Sequence, residues 1–216
     1  VLSNTGTDAT DLIILNLGGT ATVESTAGDA INITTVADTL SLDTTNAIKD
    51  AGGDAIAVTT NGVGDLYING SAPLTVTGAG NGIKATSTNA GGVINIGNTG
   101  GGYAGAITVA SGNGIDAHSS AGAAVNITTA AGGAIKSSAG DGIHVDGGAG
   151  ATGLVTVTTN DTVTGAGAGG DGIDISSGGG IKLTTNAAVV GDPGVNLADN
   201  SAVGIDYADN ADVTGN

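Results

Sequence analysis

A glycine-led isoleucine returns along the whole of this 216-residue chain, and its spacing limits the possible folds more than any other feature. The motif reads Gly28-Asp29-Ala30-Ile31, Gly53-Asp54-Ala55-Ile56, Gly80-Asn81-Gly82-Ile83 and Gly112-Asn113-Gly114-Ile115. It continues as Gly140-Asp141-Gly142-Ile143 and Gly170-Asp171-Gly172-Ile173, with a degenerate copy at Ala202-Val203-Gly204-Ile205. Steps between the isoleucines are 25, 27, 32, 28, 30 and 32 residues, a mean of 29. A degenerate period of this size marks a solenoid, whose repeats bury their apolar faces only by stacking on their neighbours.

Between the motifs lie short runs in which apolar and polar residues alternate, the signature of half-buried strands. Ile31-Asn32-Ile33, Leu40-Ser41-Leu42, Val125-Asn126-Ile127 and Ile143-His144-Val145 are examples. Turns of Gly, Asn, Asp, Ser and Thr separate them. A 29-residue repeat holds about three such strands. In the first interval they are Ile31–Ile33, Leu40–Leu42 and Ile48, and in the fourth Ile115, Val125–Ile127 and Ile135. The predicted fold is all-β: a parallel β-helix with triangular coils, about seven of them, filling residues 1–216 as one domain. At ~4.8 Å per coil the rod is roughly 36 Å long. The Gly-Asp/Asn-Gly corners are expected to hold positive φ, where a Cβ would clash.

Composition agrees. There are 42 Gly, no Cys, Met, Trp or Phe, and three tyrosines. The core must therefore come from Ile, Val, Leu and Ala. Disorder is disfavoured because charged residues are only 11% and β-branched clusters recur throughout. The net charge is −16, with four lysines and no arginine, which disfavours nucleic acid and anionic membranes as partners. No run of 18 apolar residues marks a membrane helix. The chain starts at Val1 with no signal-type segment, so it is expected to be a processed product or an excised part of a longer secreted chain.

The lysines support the register. Lys49, Lys84, Lys136 and Lys182 each follow an isoleucine, in the slot that faces solvent when the isoleucine faces inward. No charge then needs burial. Stacked in register, the slot after the anchor isoleucines forms a column: Asn32, Ala57, Lys84, Asp116, His144, Asp174, Asp206. His144 would sit between two aspartates and titrate above an ordinary histidine. A metal or proton site there competes with a plain surface charge ladder, and the ladder is preferred because one His and two Asp on a convex face lack an enclosed ligand set.

The corner residues Asp29, Asp54, Asp141 and Asp171, with Asn81 and Asn113, are the other candidates. Stacked carboxylates could attract Ca²⁺. Gly169-Gly170-Asp171-Gly172-Ile173-Asp174 superficially resembles the calcium-binding nonapeptide of RTX proteins, but Ser176 stands where a large apolar residue is expected. The alternative is that these side chains bond the backbone of their own turns. Thr-x-Thr pairs, at Thr20/Thr22, Thr75/Thr77, Thr156/Thr158 and Thr162/Thr164, are scattered rather than periodic and do not form an ice-binding array. A glycan-degrading enzyme would want paired acids in a groove with aromatics, and Trp, Phe and Arg are absent. No Gly-x-Ser-x-Gly elbow and no P-loop lysine occur. The chain is expected to be no enzyme, with no catalytic, cofactor-binding or metal residues assigned.

The repeated Gly-Asp/Asn-Gly/Ala-Ile corners in a cysteine-free, acidic chain resemble the passenger region of bacterial autotransporter or filamentous-haemagglutinin-type adhesins, from about residue 12 to 207. The resemblance implies export, display at the bacterial cell surface, and a role in adhesion, self-association or biofilm. Its implied partners are copies of itself or cell-surface proteins and glycans. A second reading is the protomer of an extracellular filament, sheath or surface layer that stacks end to end, since no capping helix is evident at either end. A β-helical glycan-degrading enzyme is the weaker third.

Overall fold

Alternating apolar and polar residues build the strands of the computed structural model, which describes residues 2–3, 12–36, 39–89, 91–97, 101–148 and 152–215. The described residues form 24 strands and no helix. The strands divide into three parallel sheets of eight, and each sheet takes every third strand in chain order. This is a parallel β-solenoid of about seven coils. At the start of the described residues Leu2–Ser3 and Leu12–Leu17 are strands. Residues 1 and 4–11 lie outside the described set.

Each expected strand in the first and fourth intervals is present. Ile31–Thr35, Thr39–Thr44 and Ile48–Asp50 precede Ile56–Thr60. Ile115–Ser119, Val125–Thr128 and Ile135–Ser137 precede Ile143–Asp146. Register stacks like on like. In the first sheet Ile31, Ile56, Ile83, Ile115, Ile143 and Ile173 form one inward row that ends on Val195. Leu40, Leu66, Ile94, Val125, Val155 and Ile181 form a row in the second sheet, and Ile48, Leu74, Ile107, Ile135, Val163 and Val189 one in the third. Every side chain in these rows except Val195 is buried. Stacked branched aliphatics fill the narrow interior by interdigitation.

Four expectations need correction. First, the copy at Gly204-Ile205 does not continue the first sheet. Ile205 pairs with Ile181 in the second sheet, and Asp206 with Lys182. The first sheet ends on Val195–Asp199, 22 residues after Ile173, so the mean coil is about 27 residues. Second, the corner glycines are mostly not at positive φ. Of those in the six full motifs only Gly28 and Gly112 are, with φ of 90° and 119°. The others answer to close approach: a Cβ on Gly142 would stand 2.6 Å from the Gly172 carbonyl oxygen and 2.5 Å from Val163 Cγ1. Third, the core includes one aromatic ring. Tyr103 is buried and donates its hydroxyl to the Ala72 carbonyl at 2.9 Å. Fourth, two carboxylates among the described residues are buried, Asp50 and Asp171. Asp50 points inward at the end of its strand, where its Oδ1 accepts the Gly52 and Gly53 N–H groups at 2.7 and 2.5 Å. The four lysines are exposed, as their slots require.

Candidate functional site

The corner acids and amides form a continuous ladder. Asp54 N donates to Asp29 Oδ1 at 2.9 Å, Asn81 N to Asp54 Oδ1 at 2.6 Å and Asn113 N to Asn81 Oδ1 at 2.7 Å. Asp141 N donates to Asn113 Oδ1 at 3.0 Å, and Asp171 N to Asp141 Oδ1 at 2.8 Å. Each side chain thus holds the backbone of the next coil, where the sequence suggested its own turn. The requirement is one carbonyl-type oxygen, which explains why Asn and Asp interchange. The ladder stops where Pro193 occupies the next corner, because proline has no N–H to donate. Burial pushes the Asp54 carboxyl up, against the Asn81 N–H that favours its charged form. Burial likewise raises Asp171, partly offset by a hydrogen bond with Asn196.

The most concentrated chemistry lies on the outer face of the first sheet. Three successive strands carry it: Ile115–Ser119, Ile143–Asp146 and Ile173–Ser177. Alternation sends Ile, Ala and Val inward and leaves Asp116 and His118, then His144 and Asp146, then Asp174 and Ser176 outward. Register places Asp116, His144 and Asp174 in one row, and His118, Asp146 and Ser176 in the next. Acid and imidazole therefore alternate both along and across the strands.

The predicted row of Asp116, His144 and Asp174 is present, with Lys84 beside Asp116. Asp206 does not belong to it; Asn196 takes that position. His144 Nδ1 lies 3.0 Å from Asp174 Oδ2 and 3.4 Å from Asp141 Oδ2. Asp141 reaches the row from the corner three residues back, a neighbour that the column spacing alone did not supply. A hydrogen bond with Asp141 is the largest influence on the His144 ring. Partial burial opposes it, the charges of Asp116 and Asp174 add to it, and the pKa is raised to about 9. The ring thus titrates well above an ordinary histidine, in the direction its neighbours predict.

The second row went unnoticed in the sequence. His118 Nδ1 lies 3.1 Å from Asp146 Oδ2. Asp146 Oδ1 accepts the Gly148 N–H at 2.9 Å and the Ser176 hydroxyl at 3.2 Å. Burial alone would raise the Asp146 carboxyl; the Gly148 N–H, His118 and Ser176 outweigh it and bring the carboxyl below its usual value. The available signal was strand alternation, since His118 and Asp146 stand two residues after Asp116 and His144 and so share their face. The order in this row is serine, carboxylate, imidazole. The Ser176 hydroxyl donates to the Asp146 carboxylate rather than to an imidazole, and the other oxygen of that carboxylate meets His118.

The Thr-x-Thr pairs stay dispersed. Thr156 lies on the second sheet, Thr75 and Thr164 lie on the third, and Thr20 and Thr22 fall outside strands. Comparison of the chain with protein families, with curated proteins and with solved structures finds no match.

Proposed function

We propose that this chain is a non-enzymatic structural and adhesive rod, displayed at a bacterial cell surface or released from it. The observation that supports this reading is how the acids are used. Five corner steps in succession are tied by Asp or Asn side chains to the backbone of the next coil. The acidity of the chain thus serves coil stacking as well as solubility, over an interior of aliphatic rows. What remains outside is the mostly polar outer face of each of three eight-stranded sheets, a form suited to lateral contact with proteins or glycans. The test is to coat inert beads with the purified chain and measure their clumping and their attachment to bacterial cells. Attachment no greater than that of beads carrying an unrelated acidic protein would reject an adhesive role.

A second reading, the end-stacking protomer of a filament or layer, has its own observation. The coils at both ends leave inward apolar side chains incompletely covered: Ile13, Leu15, Leu17 and Val23 at one end, Ile205 and Tyr207 at the other. Parallel strand edges at such ends are templates for association. Electron cryomicroscopy of concentrated material distinguishes the two. Filaments with a repeat near the rod length favour the protomer, and isolated rods favour the adhesin.

A further inference from the structure

We infer that Asp141, His144 and Asp174 form a binding site for a divalent transition-metal ion of the Zn²⁺ class, with solvent completing the coordination. The donors are one imidazole nitrogen and two carboxylate oxygens, a set that suits Zn²⁺, Co²⁺ or Ni²⁺ better than the all-oxygen shell of Ca²⁺. All three ligand atoms lie within 4.8 Å of one another. In a tetrahedral site with bonds of ~2.0–2.1 Å, neighbouring ligand atoms stand roughly 3.3 Å apart. The two nitrogen–oxygen separations here, 3.0 and 3.4 Å, bracket that edge. An ion could replace the ring's proton with little movement of the strands.

The carboxylates are also oriented from behind. Asp141 uses its Oδ1 to hold the Asp171 N–H, which turns Oδ2 toward the ring. Asp174 accepts the Asn196 side-chain amide on Oδ1 at 3.0 Å, which leaves its Oδ2 on the ring. Fixing one oxygen so that the other points at the metal is how outer partners orient ligands in metal sites. Side-chain exposures of 32% for His144, 16% for Asp141 and 26% for Asp174 leave the site sheltered on its protein side and open on the other. Asp116, the register neighbour of His144, adds negative charge beside the cation. The second histidine is a built-in control: His118 meets one carboxylate, and the other oxygen of that carboxylate is held by Ser176 and Gly148.

The test follows both histidine rings by carbon-edited NMR as Co²⁺ or Zn²⁺ is added at mildly alkaline pH, with calorimetry for stoichiometry. The expected result is that Co²⁺ broadens the His144 signals before those of His118, at one ion per chain. Asp141→Asn should weaken binding by about tenfold or more. Above about pH 9, where the charged ring no longer contributes, its melting should stay close to that of the parent, because Asn keeps the oxygen that holds Asp171. Asp174→Asn should weaken binding similarly, and His118→Gln should leave it intact. The inference fails if both histidines broaden together, if neither responds at millimolar metal, or if Asp141→Asn binds as tightly as the parent.

Discussion

His144 carries its proton through neutral pH because its neighbours converge on it from two directions, Asp141 from the corner and Asp116 and Asp174 from the adjacent strands. The consequence for stability has a definite sign. The folded value of about 9 lies above the 6.5 of an unperturbed ring, so protonation favours the folded state. That contribution is complete below pH 6.5 and is lost as pH rises through about 9. Its size should be about 1–2 kcal/mol, because solvent screens these partly exposed groups. Urea denaturation across this range, with the ring titration followed by NMR, checks both the sign and the window. Asp141→Asn removes the largest influence, so the ring should titrate nearer 6.5 and most of the alkaline loss should disappear. A parent ring titrating at or below 6.5 would contradict the observed register. Asp54 makes the opposite case. Its carboxyl is raised by burial, so its ionised form costs stability above the folded pKa. Asp54→Asn keeps the oxygen that accepts Asn81 N and should stabilise the protein at neutral pH, with the gain vanishing in acid.

The repeating element is a corner followed by a strand, and two independent contacts set it. The first is the side-chain ladder. Asn113→Ala leaves the Asp141 N–H without its acceptor and should cost about 1 kcal/mol in denaturant unfolding. The second is the approach of glycine to glycine between coils. Gly142→Ala drives a Cβ into the Gly172 carbonyl and Val163, and should cost about 3 kcal/mol or more. Gly169→Ala is the contrast: nothing lies within 4 Å of the added atom, φ is +79°, and only the backbone term of about 1 kcal/mol should be lost. Equal losses at the two sites would mean that conformation, not packing, selects the glycines. These contacts also explain what could be read in the sequence. The Gly-x-x-Ile corner recurs because a ladder acceptor, a close-approach glycine and an inward isoleucine are needed together, so strand order and register were legible over the first six anchors. The last coil was not, because Asp192-Pro193-Gly194-Val195 performs the corner without the motif while Gly204-Ile205 opens a strand of the second sheet. His118 escaped notice because it does not follow an anchor isoleucine. Asp141 is not evident as a ring neighbour in the sequence because corner and column repeat there as separate series, three residues apart. Alternation from Ile48 already places Asp50 inward; the sequence hides only that its carboxylate is accommodated there, by accepting the N–H groups of its own turn.

At the scale of the whole molecule each coil touches only its neighbours, so stability is a sum of similar interfaces and the terminal coils are the weakest units. The two kinds of force at those ends oppose one another. At one end Ile205 and Tyr207, 46% and 39% exposed, lie on the outermost strand of the second sheet, and at the other the inward Leu15 and Leu17 are only half-buried; such edges favour pairing with another copy. Against this stands a net charge of −16, and Asp199, Asp206, Asp209 and Asp212 lie in or beside the last three strands. At low ionic strength the Debye length is about 30 Å, comparable to the rod itself, so repulsion between rods should keep them apart. At physiological salt it falls to about 8 Å, and the shorter-range apolar and backbone contacts at the ends come to dominate. Sedimentation velocity at fixed protein concentration should therefore show a single slow species in low salt and faster, concentration-dependent species as salt is added. Charge reduction should act like salt: Asp206→Asn with Asp209→Asn should move the onset of association to lower ionic strength. An insertion of charge into the apolar end, Ile205→Lys, should suppress association at every salt concentration even though it lowers the net negative charge. If Ile205→Lys instead associates more readily, the contact runs along the acidic sides of the rods rather than through their ends, and the lateral, adhesive reading gains over the end-stacking one.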